Sequence, residues 1–82
     1  MTTATVYVVD DDPDSLRATG RLLRAAGLPV SLHASGAELC AALPPGAAGC
    51  LVTDLDMPGL DGLALQAELS RAGQVLPVVF LT

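Results

Sequence analysis

Lysine and tryptophan are absent from these 82 residues, and all four basic side chains are arginine. The formal net charge is −5 at pH 7. A protein that binds DNA or RNA directly needs a basic patch against the phosphate backbone, so we expect this chain to bind no nucleic acid by itself. The absence of lysine also excludes a Walker A motif, because that phosphate-binding loop requires one.

Cysteine and histidine are scarce. Cys40 and Cys50 stand ten residues apart, which fits neither a CxxC redox pair nor a zinc ligand set, so we expect both to be small buried residues. His33 is the single histidine and cannot build a metal site alone, so we expect it at the surface or at the end of a strand.

Long hydrophobic runs are also missing, although apolar residues make up 51% of the chain. The longest runs are far shorter than a membrane span, and the first residues contain no basic region followed by a cleavable apolar stretch. We therefore expect a cytoplasmic protein without a membrane segment, since two thiols that lack a disulfide framework also suit a reducing compartment.

What is present is a regular alternation of strand-like and helix-like segments. Apolar, β-rich runs occupy 6–9, 28–33, 49–53 and 77–81, and helices are predicted to begin at Asp12-Pro13, Ser35 and Asp61-Gly62. This order predicts an α/β fold with a parallel sheet and helices on both faces. The apolar side of the first helix consists of Leu16, Thr19, Leu22, Leu23 and Ala26, and its solvated side carries Arg17, Arg21 and Arg24.

Acidic residues follow two of the predicted strands. Asp10, Asp11 and Asp12 come after the first strand, and Asp54 and Asp56 come after the third. Because the carboxyl ends of parallel strands lie at one edge of a sheet, these acids converge if the two strands are neighbours. Converging carboxylates repel one another, and a divalent cation relieves the repulsion while leaving room for a phosphate oxygen. The sequence therefore predicts a site for a metal ion and a phosphoryl group at this edge.

With these residues in place, the sequence resembles the receiver domain of bacterial two-component response regulators. The motifs that carry the resemblance are VVDDDP (8–13), VTDLDMPGLDG (52–62) and LPVVFLT (76–82), and the resemblance runs from residue 6 to residue 82. Within that family, the sequence resembles FixJ-type receivers most, and these precede a LuxR-type helix-turn-helix domain. The family fold is a flavodoxin-like, doubly wound parallel sheet, of which this chain matches four strands in the order 2-1-3-4.

The resemblance implies a role for each matching residue. Asp54 corresponds to the phosphoacceptor and to a metal ligand, Asp11 to the acid that binds Mg²⁺ or Mn²⁺ directly, and Asp10 to its water-mediated partner. Asp56 corresponds to the residue that offers a backbone carbonyl to the metal, and Thr82 to the switch hydroxyl. A sensor histidine kinase is then the phosphoryl donor, and an output domain or partner protein responds, for example by changing transcription. The chain is thus expected to be a phosphoacceptor and not an enzyme.

The resemblance also implies a lysine-bearing fifth strand and two further helices, which have no counterpart in these residues. We therefore expect residues 1–82 to form a receiver domain that is incomplete at its C-terminus. Its exposed apolar surface should make the chain dimerise, swap segments or aggregate, unless these residues are the ordered part of a longer chain. Two alternatives stay open. One is a pseudo-receiver that docks or dimerises without phosphorylation. The other is a haloacid-dehalogenase-type phosphatase, although residues 10–14 match only the DxD part of its DxDx[TV] motif.

Overall fold

A computed structural model describes residues 4–54 and 61–81, and its elements alternate as the sequence predicted. The strands are β1 (Thr5–Val9), β2 (Val30–His33), β3 (Gly49–Asp54) and β4 (Val78–Leu81), and the helices are α1 (Pro13–Ala25), α2 (Gly36–Ala42) and α3 (Gly62–Arg71). The strands pair in parallel in the order β2-β1-β3-β4. The predicted α/β class and strand order are therefore confirmed.

Each helix begins where the sequence predicted, because a side-chain oxygen caps its first turn. The capping residues are Asp12, Ser35 and Asp61, whose cap hydrogen bonds measure 3.1, 3.1 and 2.9 Å. Such caps satisfy backbone N–H groups that have no partner within the helix. Helix α1 has 13 residues, and no helix in the described parts of the chain is long and apolar enough to cross a membrane.

Strand β2 starts two residues later than predicted, because the chain before it closes helix α1. Gly27 adopts a positive φ of 83°, and the backbone N–H of Leu28 donates to the carbonyl of Leu23 at 3.1 Å. This glycine-based C-terminal motif occupies the N–H group that Leu28 would need in a sheet. Pro29 has no N–H, although its carbonyl accepts a hydrogen bond from β1 at 2.9 Å. Regular pairing therefore begins at Val30.

The two faces of the sheet are covered differently. Helices α2 and α3 pack on one face and enclose the main apolar cluster, which consists of Tyr7, Val9, Leu39, Leu51, Leu65 and Leu69. Leu65 and Leu69, which lie one turn apart on α3, are both buried there. On the opposite face, α1 packs closely against β2, since a Cβ on Gly20 would lie only 2.8 Å from the Leu32 side chain. Helix α1 contacts β1 and β2.

The expected exposed apolar surface includes Leu22, which lies on the predicted apolar side of α1. Leu22 is 72% exposed, and the buried residue of this helix is Gly20. The reason is the position of α1 over β1 and β2, which leaves the same face of β3 and β4 uncovered by any described element. Val79 and Leu81 of β4 are 51% and 43% exposed. An apolar surface, hereafter the open face, therefore includes Leu22, Val79 and Leu81.

The backbone of β1 leaves no room for a side chain at Gly49, the first residue of β3. Gly49 has a φ of 138°, and a Cβ built there would lie 1.8 Å from the backbone oxygen of Thr5, its register partner. No side chain fits at that distance, so glycine is required for the first β1–β3 pair to form.

The predicted burial of both cysteines is not borne out. Cys40 is exposed on α2, and Cys50 in β3 is partly exposed. Helix α2 presents Leu39 to the core, so the next residue on this short helix turns towards solvent. Cys50 lies on the same side of the sheet as α1, because its neighbour Leu51 faces α2 and α3. Helix α1 contacts β1 and β2, so it does not cover Cys50 in β3.

Candidate functional site

Three carboxylates meet at the carboxyl edge of the sheet. Asp10 and Asp11 follow β1, and Asp54 is the last residue of β3. One carboxylate oxygen from each of the three lies within 4.8 Å of the other two. Strands β1 and β3 are parallel neighbours, and that pairing brings together acids more than forty residues apart in the chain. The predicted convergence is thereby confirmed for these three residues.

Asp10 is anchored within this acidic cluster by two hydrogen bonds. Its Oδ1 accepts a hydrogen bond from the backbone N–H of Asp12 at 3.0 Å, and its own N–H donates to the carbonyl of His33 at 3.2 Å. The residue is half-buried, whereas Asp11 is exposed. Asp10 is therefore held from two sides, and Asp11 presents its carboxylate to solvent.

Asp12 serves the helix and not the acidic cluster. Its Oδ1 accepts from the N–H of Asp14 at 3.1 Å, and its Oδ2 accepts from the Ser15 hydroxyl at 3.1 Å. Both carboxylate oxygens thus bind the first turn of α1. The sequence grouped Asp12 with the converging acids. In the structure its side chain caps α1, and its backbone N–H donates to the Asp10 carboxylate.

Asp54 ends β3 in a tight environment. The sequence placed it just after the strand, but it pairs in register with Leu81 of β4 and so belongs to the strand. Its backbone oxygen accepts a hydrogen bond from the Thr53 hydroxyl at 3.2 Å. Gly62, at the start of α3, lies against the same oxygen. From the sequence, Gly62 was identified only as part of a helix start, because no local signal reveals its contact with Asp54.

Two further residues proposed from the resemblance, Asp56 and Thr82, lie outside the described residues. Their roles as a metal-binding carbonyl and a switch hydroxyl remain predictions. The described part of the site consists of the acidic cluster of Asp10, Asp11 and Asp54, with the cap of α1 beside it.

His33 lies at the end of β2, as predicted, and stays outside the acidic cluster. Its Nε2 is 2.8 Å from the hydroxyl oxygen of Ser31, and its ring stacks on Tyr7 with centroids 6.4 Å apart. Burial lowers the pKa of His33, and the negative charge of Glu38 opposes that shift. The residue supports the site through its backbone carbonyl and not through its imidazole.

The donor chemistry of the acidic cluster suits a hard divalent cation. Its ligand atoms are carboxylate oxygens, which Mg²⁺ and Mn²⁺ prefer over nitrogen or sulfur ligands. Mg²⁺ in proteins keeps several water ligands and needs only one or two carboxylates together with a phosphate oxygen. The half-exposed position of the acidic cluster leaves room for such waters and for a phosphoryl group.

Comparisons with known proteins identify the family. The chain matches the response regulator receiver domain over residues 6–82. It is 40% identical over 81 residues to nodulation protein W of Bradyrhizobium diazoefficiens, and 40% identical over 77 residues to the transcriptional regulatory protein FixJ of Azorhizobium caulinodans. These alignments cover 99% and 94% of the chain but only 36% of each relative.

A solved structure, that of the response regulator StyR, superposes with a TM-score of 0.90 at 37% identity. The superposition covers 96% of this chain and 40% of StyR. The chain thus spans little more than a third of the length of the curated relatives described above. The motifs, the strand order and the acidic cluster agree with these similarities, so the chain belongs to the receiver domain family of two-component response regulators.

Proposed function

We propose that Asp54 accepts a phosphoryl group in a reaction that depends on Mg²⁺ or Mn²⁺, and that this modification switches an output. The observation that carries the proposal is the position of Asp54 within 4.8 Å of both Asp10 and Asp11 at the carboxyl edge of the sheet. Membership of the receiver family supports it, since receivers are signalling modules and not catalytic enzymes in their own right.

Each residue of the site has a proposed role in the transfer. A carboxylate oxygen of Asp54 attacks phosphorus, so that an oxygen–phosphorus bond forms while the bond between phosphorus and the donor's leaving group breaks. Asp11 and Asp54 would hold the cation with their carboxylates, and Asp10 would assist through a water ligand. A bound Mg²⁺ supplies positive charge against the phosphoryl oxygens, which phosphoryl transfer needs more than covalent help from the protein. By the family resemblance, Asp56 would offer a carbonyl ligand and Thr82 the switch hydroxyl.

The donor and the output are further parts of the proposal. A phosphohistidine of a sensor kinase is the natural donor, and small phosphodonors serve as well because the site itself holds the chemistry. FixJ carries the name of a transcriptional regulatory protein, and a DNA-binding transcriptional regulator, NtrC of Escherichia coli, is 39% identical over 77 residues. We therefore propose transcription as the output, through a domain such as a LuxR-type helix-turn-helix. The net charge of −5 argues that this chain does not itself bind the DNA. We place this signalling in the cytoplasm.

The decisive experiment is phosphorylation of the purified protein with acetyl phosphate in the presence and absence of Mg²⁺, followed by intact mass. We expect one hydroxylamine-sensitive phosphoryl group on the wild type and none on Asp54→Asn. Asp14→Asn is the matched control, because Asp14 is exposed and pairs with Arg17 outside the acidic cluster. A variant lacking Asp54 that still gains the same labile group overturns the assignment.

A docking module that is never phosphorylated is the second candidate. The open face favours it, since apolar surface of this kind marks interaction sites. Beryllofluoride separates the two functions, because it occupies a phosphoacceptor site only where an aspartate and a divalent cation are both in place. Binding that is lost in Asp54→Asn supports the phosphoacceptor, and an absence of binding to the wild type supports the docking module.

A further inference from the structure

The start of α3 touches the proposed phosphoacceptor through a glycine. Gly62 is the first residue of α3 and is buried. A Cβ built on it would lie 2.7 Å from the backbone oxygen of Asp54, and 2.9 Å from Cε1 of the Phe80 ring. Distances below 3.0 Å are not tolerated by real side chains, so any larger residue forces a neighbour to move. One of these two neighbours, the oxygen of Asp54, belongs to the backbone and moves only if strand β3 moves.

Neither α3 nor β3 can easily move away from this contact. The first turn of α3 is fixed by Asp61, whose side chain caps Ala64 and whose carbonyl accepts from Leu65 at 2.8 Å. Leu65 is fully buried in the main apolar cluster. Strand β3 lies between β1 and β4 and is paired with both. Added bulk at Gly62 therefore displaces the end of β3, where Asp54 stands.

We propose that Gly62 is a positioning residue for Asp54. Its bare Cα allows α3 to lie directly against the Asp54 carbonyl, and this contact sets how far the Asp54 carboxylate stands from those of Asp10 and Asp11. The spacing of these three groups determines cation affinity, because Mg²⁺ requires a near-ideal ligand geometry. This inference rests on the proposed phosphoacceptor function and assigns part of its geometry to a residue that carries no ligand atom.

The first test measures Mg²⁺ alone, without any phosphodonor. In a calorimetric titration, we expect the dissociation constant for Mg²⁺ to be about 10–100-fold higher in Gly62→Ala than in the wild type. Changes of this size are usual when a residue that orients a metal ligand is altered. Gly20→Ala is the matched control. Its Cβ would also be close to a neighbour, at 2.8 Å, but that neighbour is the flexible end of the Leu32 side chain, on β2. The control should bind Mg²⁺ like the wild type.

Loss of stability is separated from loss of positioning by a second control. Gln74→Ala removes hydrogen bonds to the loop before β3, away from the acidic cluster, and should lower stability without changing Mg²⁺ affinity. Urea unfolding of all variants, followed by titration under conditions where each is folded, makes the comparison direct. Equal Mg²⁺ affinity in Gly62→Ala and the wild type, with Asp54→Asn still weakened, overturns the role of Gly62 and leaves the proposed function intact. A wild type that binds no Mg²⁺ overturns both.

The Phe80 ring offers a second route by which bulk at Gly62 could act. The double variant Gly62→Ala/Phe80→Ala removes the ring and leaves the clash with the Asp54 carbonyl. We expect Mg²⁺ affinity to stay low in this variant, and full recovery would overturn the carbonyl contact as the cause. Should Gly62→Ala fail to fold, amide shifts of the wild type give the answer. The Gly62 amide should move with Mg²⁺ along the same binding curve as Asp54 while Gly20 stays fixed, and an unresponsive Gly62 overturns the proposal.

Discussion

Val9 of β1 and Thr53 of β3 are register partners in neighbouring parallel strands. The residues that follow them are Asp10 and Asp54, so this one pairing aligns the ends of two strands and brings the two acids to the same level of the sheet edge. Thr53 is fully buried, and its hydroxyl donates to the Asp54 carbonyl at 3.2 Å. Strand register therefore brings the acids to one edge of the sheet, and changes to individual acids should affect metal binding without unfolding the sheet.

The first prediction concerns the division of roles among the acids. Asp11→Ala should weaken Mg²⁺ binding more than Asp56→Ala, because the first change removes a side-chain ligand whereas the proposed ligand of Asp56 is a backbone carbonyl that the second change retains. Isothermal titration with Mg²⁺ measures both dissociation constants. Asp14→Ala serves as the control for the loss of one exposed negative charge. Equal losses at positions 11 and 56 would contradict the proposed roles.

The second prediction concerns Gly49. Gly49→Ala should lower the free energy of unfolding by about 3 kcal/mol or more, since it adds left-handed backbone strain of about 1–3 kcal/mol to a clash with Thr5. Gly46→Ala is the matched control, because Gly46 also has a positive φ, of 65°, but has open space where its Cβ would lie. That variant should lose only about 1–2 kcal/mol. Urea unfolding followed by circular dichroism checks both values, and similar losses would show that the close approach to β1 is unimportant.

The third prediction concerns the link between Gln74, which follows α3, and the loop before β3. The Gln74 side chain donates to the Pro44 carbonyl at 2.8 Å and accepts from the Ala47 N–H at 3.2 Å. Gln74→Ala leaves both backbone groups without these partners and should cost about 1–3 kcal/mol of unfolding free energy. Gln66→Ala, at an exposed position of α3, should stay within about 0.5 kcal/mol of the wild type. Chemical denaturation distinguishes the two, and an unchanged midpoint for Gln74→Ala would refute the link.

The fourth prediction concerns the open face. The 82-residue chain should self-associate through this surface, because Leu22, Val79 and Leu81 are largely exposed and β4 offers an unpaired edge among the described strands. Val79→Lys should shift the chain towards monomer in light scattering and analytical ultracentrifugation. Leu63→Lys is the control, because Leu63 is 60% exposed but lies on α3, on the other side of the sheet. A wild-type monomer at all concentrations, with a cooperative thermal melt, would argue that this surface is tolerated in water.

Much of the fold was predictable because local signals agreed with one another. Asp12, Ser35 and Asp61 are capping residues directly before helical segments, and glycines 27 and 73 end two helices with positive φ values. The boundary of β2 was less predictable. Leu28 is apolar and precedes a strand, but its N–H is used by the closing turn of α1, which a strand-like run of residues does not reveal.

Burial was the least predictable property, as Cys40 shows, and the exposure of Leu22 depends on how α1 packs on the sheet. A periodic apolar pattern indicates which side of a helix is hydrophobic, but the sheet surface that the helix reaches depends on where it crosses the strands. Helix α1 lies over β1 and β2, so Gly20 is buried against the sheet, whereas Leu22 stays exposed as part of the open face.

The sequence by itself determined the class of fold, the helix starts and the identity of the acids at the sheet edge, because these depend on local pattern and on the type of residue that follows each strand. Tertiary structure alone decided which acids share a site. Asp10, Asp11 and Asp54 meet because β1 pairs with β3 in one register, while Asp12 turns to cap α1. It also decided that Gly62 touches the Asp54 carbonyl. That contact depends on the distance between a helix and a strand, a quantity set by packing and not by local sequence.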